Sequence, residues 1–361
     1  MAHTMTTTTD SAGTSVGERL RTVARRDPYI SRLVVLLLVL LLLFLLVKPD
    51  NFLAAATWDS MAVQFPEFGL MALGVMVTML TGGIDLSVVG IANMTSVVAA
   101  VIMLALVPAG GGAAFGIAAA MLAALVLGVL AGALNGFLVA KVKIPAILVT
   151  LGTLELFIGV AIVVTAGRPI SGLPMAYSSL VAGDLFGVIP MQLVAFLLAV
   201  ALLALILKKT TFGTKLYMLG SNATNAKFSG LNSTSILIRT YMLSGFVSAM
   251  AGLVMLANYN SAKADYGLTY TLLTVLIVVL GGVNPNGGRG KLLGVVLAII
   301  TLQILSSGLN LFPQISNFYR DLIWGGVLLF VIATSSLQRG GFRKQLNRLR
   351  PNKHEEEVVA S

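Results

Sequence analysis

Two carboxylates are the residues of this chain most able to do chemistry inside apolar sequence. Asp85 and Ser87 lie in the segment Gly-Gly-Ile-Asp-Leu-Ser at 82–87, and Glu155 lies ten residues into the apolar run 145–166. An ionisable side chain at membrane depth is costly to bury, so it indicates a functional site, and Glu155 is expected to face the protein interior. The competing interpretation is that Asp85 or Ser87 only caps the helix that follows.

Neutral polar side chains and glycines form the second set of candidates. Asn93, Gln303 and Asn310 can hydrogen-bond neighbouring helices or the hydroxyls of a passing solute. Gly82 and Gly83 allow the chain to turn or break within the protein, as in discontinuous transporter helices. The candidate residues for a polar path or its gate are therefore Gly82, Gly83, Asp85, Ser87, Asn93, Glu155, Gln303 and Asn310.

Other chemistry is excluded or disfavoured by composition. The chain has no cysteine, and its two histidines, His3 and His354, lie in the polar ends. The sequence therefore predicts no catalytic residue, no metal site and no cofactor bound by this chain. The glycine-rich segment 281–291 lacks the spacing and the final Ser or Thr of a GxxxxGKS/T phosphate loop, and a tight turn with Arg289 and Lys291 at the lipid headgroups is favoured.

Ten apolar stretches position these candidates. Only 11% of the residues are charged, against roughly 25% in a soluble domain, and the mean hydropathy is +0.94. A bilayer core needs roughly 20 mainly apolar residues per helix, so the sequence predicts an all-α integral membrane protein with about ten transmembrane helices. The predicted spans are 30–50, 66–83, 87–107, 113–140, 145–166, 186–207, 236–257, 267–283, 291–308 and 321–338. Gly128, Gly132 and Gly136 predict close packing of the fourth span, within the subunit or across a dimer.

The positive charges fix the orientation of these spans. Twenty of the 24 Lys and Arg residues lie in or beside the two polar ends and every second interval between predicted spans. The four exceptions are Lys48, Arg168, Lys263 and Arg320. Cytoplasmic loops collect Lys and Arg, so both termini are predicted to be cytoplasmic. The net charge of +10 is interpreted as contact with anionic membrane lipid and not with nucleic acid.

This pattern gives three parts of the chain. They are a polar cytoplasmic segment at 1–29, a transmembrane domain at 30–338 and a basic, then acidic, cytoplasmic tail at 339–361. The first span has a competing interpretation as a cleaved signal peptide, because arginines precede it and small residues follow it at 54–56. Its polar lead of roughly 30 residues favours a retained helix.

The longest interval between spans, 208–235, contains a predicted short helix. Asn222 can cap this helix and Gly230 can end it. The helix either links two spans at the surface or docks into a partner's groove, and the residue types leave both interpretations open. In the second case it would present three apolar residues to the cytoplasm: Ala226, Phe228 and Leu231.

Three segments carry a resemblance to one family. Residues 220–231, with the pattern GxNxxxAxxSGL, resemble the coupling-helix segment of bacterial ABC importer permeases of the ribose/xylose/arabinose type. Residues 82–87 resemble the GGIDLS signature of that family, and the segments at 281–282, 287–290 and 308–310 resemble its GG…GGRG…GLN pattern. The likeness runs in consistent order from about residue 33 to 338.

The resemblance implies the ABC importer permease fold in a bacterial inner membrane. It implies a second permease subunit, a periplasmic solute-binding protein that delivers a sugar or related small polar solute, and a cytoplasmic ATPase that binds ATP and Mg. ATP hydrolysis is expected on that ATPase because this chain has no phosphate loop. The resemblance also implies that the residues coupling the chain to the ATPase are Gly220, Asn222, Ala226, Phe228, Ser229, Gly230 and Leu231.

Two other function classes fit a chain with ten spans. A secondary transporter or channel for a small polar solute would need a coupling-ion site, for which Asp85 and Glu155 are the only candidates at membrane depth. A membrane-embedded enzyme is disfavoured because Asp, Glu, His and Cys do not cluster in the sequence. Co-purification of an ATPase distinguishes an ABC permease from a secondary transporter.

Overall fold

The fold was analysed in a computed structural model, which describes residues 28–107 and 113–312 and a few single positions between 319 and 329. The helices are α1 (Pro28–Val47), α2 (Pro49–Phe52), α3 (Ala55–Leu80), α4 (Val88–Leu106), α5 (Ala113–Phe137), α6 (Ala146–Thr165), α7 (Met175–Val181), α8 (Met191–Lys209), α9 (Thr211–Ser221), α10 (Ala223–Phe228), α11 (Ser233–Tyr259), α12 (Tyr270–Leu280) and α13 (Leu292–Asn310). A π-helical turn, Leu138–Val142, extends α5. The strands are β1 (Ile170–Ser171), β2 (Asp184–Leu185), β3 (Ile189–Pro190) and β4 (Ser261–Ala262).

Eight helices in the described part are long and apolar enough to cross a membrane, which confirms eight of the predicted spans. They are α1, α3, α4, α5, α6, α8, α11 and α13. The eighth predicted span, 267–283, contains the shorter helix α12. The tenth, 321–338, lies outside the described residues apart from single positions, and so do residues 1–27 and the tail 339–361.

Helix α11 lies at the centre and packs against α3, α4 and α5. Residues 66–80 of α3 are all buried, as are most residues in the first half of α4. The outer helices α1, α5, α6 and α8 instead expose large apolar side chains such as Leu46, Leu122, Leu148 and Leu198. Such a surface is stable only in apolar surroundings, so these helices face lipid or another protein within the membrane.

The glycines of α5 pack inside the subunit. A Cβ on Gly132 would overlap the carbonyl oxygen of Tyr241 in α11, and a Cβ on Gly136 would lie 2.6 Å from the Cα of Ile238. A Cβ on Gly128 would meet the same helix. The glycine stripe therefore brings α5 and α11 into backbone contact, and of the two alternatives left by the sequence the packing is within the subunit.

Two helix starts differ from the apolar windows. Helix α3 begins at Ala55 and not at residue 66, because the less apolar residues 55–65 continue the helix and Pro66 lies inside it. Helix α8 begins at Met191 and not at residue 186, because residues 184–190 form the β2–β3 hairpin. Hydropathy alone marks where a helix becomes apolar and not where it begins.

The span predicted at 267–283 is broken. Helix α12 has eleven residues, about 16 Å, which is too short to cross a bilayer core of about 30 Å. The preceding residues run into the protein, because Asn93, the sixth residue of α4, donates its Nδ2 hydrogens to the carbonyl oxygens of Ala264 (2.9 Å) and Tyr266 (2.9 Å). Non-helical backbone at this depth is tolerated when protein groups satisfy it, and Asn93 does so.

Helix α1 packs on α13. A Cβ on Gly308 would overlap the ring of Phe44, so the two helices are in close contact at this point. Phe44 is buried with Phe52 and Ile304 in a small apolar cluster that also joins α2. This packing favours the retained first span over the signal-peptide interpretation.

Candidate functional site

Asp85 lies in the non-helical segment 81–87 between α3 and α4, and its side chain is buried. Its Oδ1 accepts hydrogen bonds from the backbone N–H (3.0 Å) and the hydroxyl (2.6 Å) of Ser87, and its Oδ2 accepts one from the hydroxyl of Ser244 (2.8 Å) on α11. Asn135 on α5 donates its Nδ2 hydrogen to the Ser87 hydroxyl (2.7 Å). The carboxyl group therefore joins the break between α3 and α4 to two other helices.

Neither the Asp85 nor the Ser87 side chain caps α4. The helix begins at Val88, and the Ser87 side chain accepts no hydrogen bond from its first turn. Asp85 accepts the N–H of Ser87 itself, which precedes the helix. The capping interpretation is therefore wrong: no side-chain bond caps α4, and the two side chains instead bond each other, Ser244 and Asn135.

Gly82 and Gly83 hold this segment close to its neighbours. Gly82 has a φ of +87°, in the left-handed region that favours glycine. A Cβ on Gly83 would lie 2.5 Å from the hydroxyl oxygen of Tyr241. That hydroxyl and Oδ1 of Asn135 are buried and make no hydrogen bond within the described residues. Buried polar atoms are normally paired, so these two are the atoms that a water molecule or a solute hydroxyl would satisfy.

The remaining polar candidates do not join Asp85. Asn93 is bonded to the broken crossing before α12. Gln303 donates its Nε2 hydrogen to the hydroxyl of Ser307 (2.9 Å), one turn along the same helix, and Asn310 is the exposed last residue of α13. Of the predicted path residues, the structure thus brings together only the four at 82–87.

Glu155 corrects one expectation. Its side chain is exposed on the surface of the subunit and does not face the interior. The reason is the rotation of α6, which buries Thr153, Phe157 and Ala161 and turns the opposite face outward. Gly152, one turn before Glu155, lies on that outward face and has open space where a Cβ would be.

The interval after α8 contains the predicted short helix. Helix α10 begins after Asn222, whose Oδ1 accepts the N–H of Asn225 (2.9 Å). It ends before Gly230, which has a φ of +75° and whose N–H bonds the carbonyl of Lys227 (3.0 Å). The capping role of Asn222 and the terminating role of Gly230 are therefore confirmed.

The residues of this segment face two ways. Phe228 is 88% exposed, and Asn222, Ser229 and Gly230 are also exposed. Ala226 is buried and Leu231 half-buried, and both pack against Leu219 and Ile236. The expectation that Ala226 and Leu231 face the cytoplasm is therefore wrong, because they seal α10 against α9 and α11. Gly220 also faces inward, against the carbonyl oxygen of Leu80.

A second buried carboxylate was missed from the sequence. In α3, Oε1 of Glu67 accepts a hydrogen bond from Nδ2 of Asn258 (2.7 Å), and Oε2 accepts one from the hydroxyl of Tyr259 (2.9 Å). Tyr270 at the start of α12 also hydrogen-bonds Glu67. Oδ1 of Asn258 accepts a bond from Nε2 of Gln192 (2.8 Å), so the cluster joins α3, α8, α11 and α12.

One feature of the sequence pointed to this cluster. Glu67 is an acidic residue inside an apolar run, which is the same criterion that selected Asp85 and Glu155. The predicted span began at residue 66 and so placed Glu67 at the membrane edge. Because α3 begins at Ala55, Glu67 instead lies near the middle of the helix.

Eight long apolar helices and one broken span in the described part of the chain are consistent with a multi-pass transport subunit, and sequence comparison defines the family. The profile of the family described as "Branched-chain amino acid transport system / permease component" matches residues 58–332. The chain belongs to this permease family and is a permease subunit of an ABC importer in a bacterial inner membrane. The resemblance identified from the three segments is thus confirmed.

Three relatives show the degree of similarity. The ribose import permease protein RbsC of Bacillus subtilis (strain 168) is 32% identical over 311 residues, which are 84% of this chain and 90% of the relative. The autoinducer 2 import system permease protein LsrC of Escherichia coli (strain SMS-3-5 / SECEC) is 36% identical over 279 residues, 77% and 79% of the two chains. The protein of the same name from Yersinia pseudotuberculosis (serotype O:1b, strain IP 31758) is 36% identical over 263 residues, 73% and 72%. No solved structure gives a significant match.

Proposed function

We propose that this chain moves a sugar or a related small polar solute into the cytoplasm, driven by ATP that a separate cytoplasmic ATPase hydrolyses. Two relatives are named as import permeases for ribose and for autoinducer 2, which supports a small polar solute for this chain as well. The polar groups around Asp85 are hydroxyls and amides, which suit such a solute. A periplasmic solute-binding protein delivers the solute, so the path itself needs only weak binding.

The main observation in support of an ATPase partner is the exposure of Phe228. A side chain of this size lies on the surface at the end of a well-capped helix, on the side predicted to be cytoplasmic. Burying a Phe side chain in a partner's groove contributes about 1.5–3 kcal/mol. A helix fixed from below by Ala226 and Leu231 presents that side chain at little conformational cost. ATP and Mg bind only to the partner in this proposal.

The test is a pull-down of the ATPase with two matched variants. Phe228→Asp places a charge in the proposed apolar groove, so ATPase association and solute uptake should be lost while the permease still inserts in the membrane. Phe186→Asp is the control, because Phe186 is 90% exposed but lies in the β2–β3 hairpin on the side predicted to be periplasmic. Normal ATPase association of Phe228→Asp would contradict the proposal.

The exposed face of α6, which carries Glu155, supports the proposal that a second permease subunit is present. A charged side chain facing lipid near the centre of the bilayer is unfavourable by about 2.5–3.5 kcal/mol. Glu155 therefore needs protein or water over it, and the small residue Gly152 beside it allows a second helix to approach closely. We propose that a second copy covers this face and that Glu155 borders a hydrated path between the copies.

The absence of cysteine makes this arrangement testable. Leu156→Cys lies next to Glu155, and Leu197→Cys on α8 is a matched control, since both leucines are 53% exposed. Oxidation in membranes should cross-link Leu156→Cys into a dimer and leave Leu197→Cys monomeric. Cross-linking at position 197 and not at 156 would place the second copy on another face.

A further inference from the structure

Three backbone segments meet without side chains between them on the side predicted to be cytoplasmic. The segments are the last turn of α9, the residues that follow α3, and the turn at 284–290. The N–H of Gly288 donates to the carbonyl oxygen of Leu80 (2.9 Å). A Cβ on Gly220 would overlap that same oxygen and would lie 2.6 Å from the Gly288 nitrogen. These contacts join α9 to both of the other segments.

The glycines at this meeting point are required by the space. A Cβ on Gly287 would lie 2.7 Å from the nitrogen of Gly82, and a Cβ on Gly288 would lie 2.5 Å from the Cα of Ser221. Gly82, Gly287 and Gly288 also have positive φ angles. We call Gly82, Gly220, Gly287 and Gly288 the glycine junction.

Gly220 is the informative member of the glycine junction. It lies in helix α9 and has no positive φ, so its backbone conformation does not require glycine. Alanine would stabilise an ordinary helix position by about 1 kcal/mol relative to glycine. The remaining reason for a glycine here is the contact with Leu80, since any side chain would push the two segments apart.

A side chain strengthens the same connection. The hydroxyl of Tyr217 in α9 donates to the carbonyl oxygen of Gly290 (3.0 Å). Burial raises the pKa of the Tyr217 hydroxyl, so it keeps the proton that it donates. Helix α9 is therefore held to the turn at 284–290 by a hydrogen bond as well as by backbone contact.

The position of the glycine junction gives it a function. Helix α10, with exposed Phe228, begins three residues after Gly220, and Asp85 lies three residues after Gly82. The Asp85 carboxyl in turn holds α4 and α11 through Ser87 and Ser244. A short connection from the proposed ATPase contact to Asp85 thus passes through the glycine junction, beside the longer one along α11 to Ser244.

We infer that the glycine junction moves as one rigid unit and transmits displacement of α10 to the segment 81–87 that holds Asp85. This inference rests on the proposed ATPase contact. Gly220 is then a positioning residue of the transport cycle and not a residue that touches the ATPase. Rigidity follows from the contacts, because backbone atoms in van der Waals contact have no side-chain rotamers through which to relax.

The first test replaces Gly220 by alanine. The variant Gly220→Ala should still reach the membrane and co-purify with the ATPase, since α10 keeps its exposed face. Uptake should fall by about fivefold or more, the lower range of coupling factors between linked sites, and ATP hydrolysis should lose its response to solute. Thr214→Ala, an exposed change on α9, is the control and should behave as wild type.

The second test does not depend on the folding of that variant. Ser221→Cys and Asn286→Cys place two exposed thiols on the two sides of the glycine junction in a chain without other cysteines. Joining them with a short bifunctional thiol reagent should leave uptake unchanged if the junction is rigid. Loss of uptake on cross-linking, or normal uptake and coupling of Gly220→Ala, would overturn the inference. Failure of the wild-type chain to bind the ATPase would instead contradict the proposed function.

Discussion

The two carboxylates that are buried in the described part of this permease, Asp85 and Glu67, are held in different ways. Asp85 lies in a break between helices, and its donors are a backbone N–H and two serine hydroxyls. Glu67 lies inside the continuous helix α3, and its partners are the longer side chains of Asn258, Tyr259 and Tyr270. The Asp85 site is thus built from backbone and small residues, and the Glu67 site from side chains.

This difference predicts different tolerance to change. The backbone N–H of Ser87 cannot turn to another acceptor, and glycines press the segment 81–87 against its neighbours. Around Glu67, Nδ2 of Asn258 also donates to the carbonyl of Val63 (3.3 Å), and Tyr259 is 44% exposed and can reach water. The Asp85 site should therefore respond to substitution as a rigid unit, and the Glu67 site should rearrange.

The largest effect is expected from Asp85→Leu. It leaves the Ser87 N–H and the hydroxyls of Ser87 and Ser244 without their acceptor, and each unpaired buried donor is unfavourable by about 1–3 kcal/mol. Uptake should be abolished, and the thermal unfolding midpoint of the purified protein should fall steeply. Asp85→Asn keeps the shape and one carbonyl oxygen, so it should retain part of both. A Leu variant as stable as the Asn variant would contradict this account of the site.

A smaller loss is expected from Glu67→Leu. Because Asn258 keeps the Val63 carbonyl and Tyr259 can be hydrated, the change should destabilise by about one unpaired group, or 1–3 kcal/mol. The thermal unfolding midpoint of this variant is compared with that of Asp85→Leu under the same conditions. If Glu67→Leu is the more damaging of the two, the proposed contrast between a rigid and an adaptable site is wrong.

Gly83→Ala tests the packing of the Asp85 site. Its Cβ would lie 2.5 Å from the hydroxyl of Tyr241, and overpacking of this kind is unfavourable by about 1–3 kcal/mol. Tyr241→Phe removes that hydroxyl and should restore stability in the double variant. A double-mutant cycle measures the coupling. Additive effects of the two changes would show that the hydroxyl is not what excludes a side chain at position 83.

The smallest effect on stability is expected from Tyr241→Phe alone. The hydroxyl is buried and has no partner among the described residues, so no hydrogen bond is lost and the unfolding free energy should change by less than about 0.5 kcal/mol. If the hydroxyl binds the passing solute, uptake should show a raised apparent KM at unchanged protein level. A marked loss of stability would indicate that the hydroxyl is bonded in the folded protein.

The sequence predicted the spans and the importance of 82–87 because both are local properties. An apolar run of sufficient length predicts a span, and a carboxylate after two glycines between spans marks a break. The bond from Ser244 to Asp85 is not local, because it depends on how α11 is placed 159 positions along the chain.

The orientation of Glu155 could not be predicted from the sequence for a different reason. The apolar residues of α6 are spread over all sides of the helix, and lipid is as apolar as the protein core, so no periodic pattern distinguishes its buried face. The structure supplies that face, and with it the correction that Glu155 points outward. The sequence also did not reveal how short α12 is. Residues 267–269 and 281–283 carry no charge, so hydropathy extends the apolar window beyond both ends of the helix.

The source of energy for uptake distinguishes an ATP-driven importer from a proton-coupled carrier. Uptake of labelled sugar is measured in energised vesicles that contain the permease, the ATPase and the binding protein, with ATP held constant while a protonophore dissipates the proton gradient. An importer driven by ATP needs no proton relay through Asp85, so uptake should continue at its initial rate. If the protonophore stops uptake at constant ATP, the chain is a proton-coupled carrier and the account is wrong.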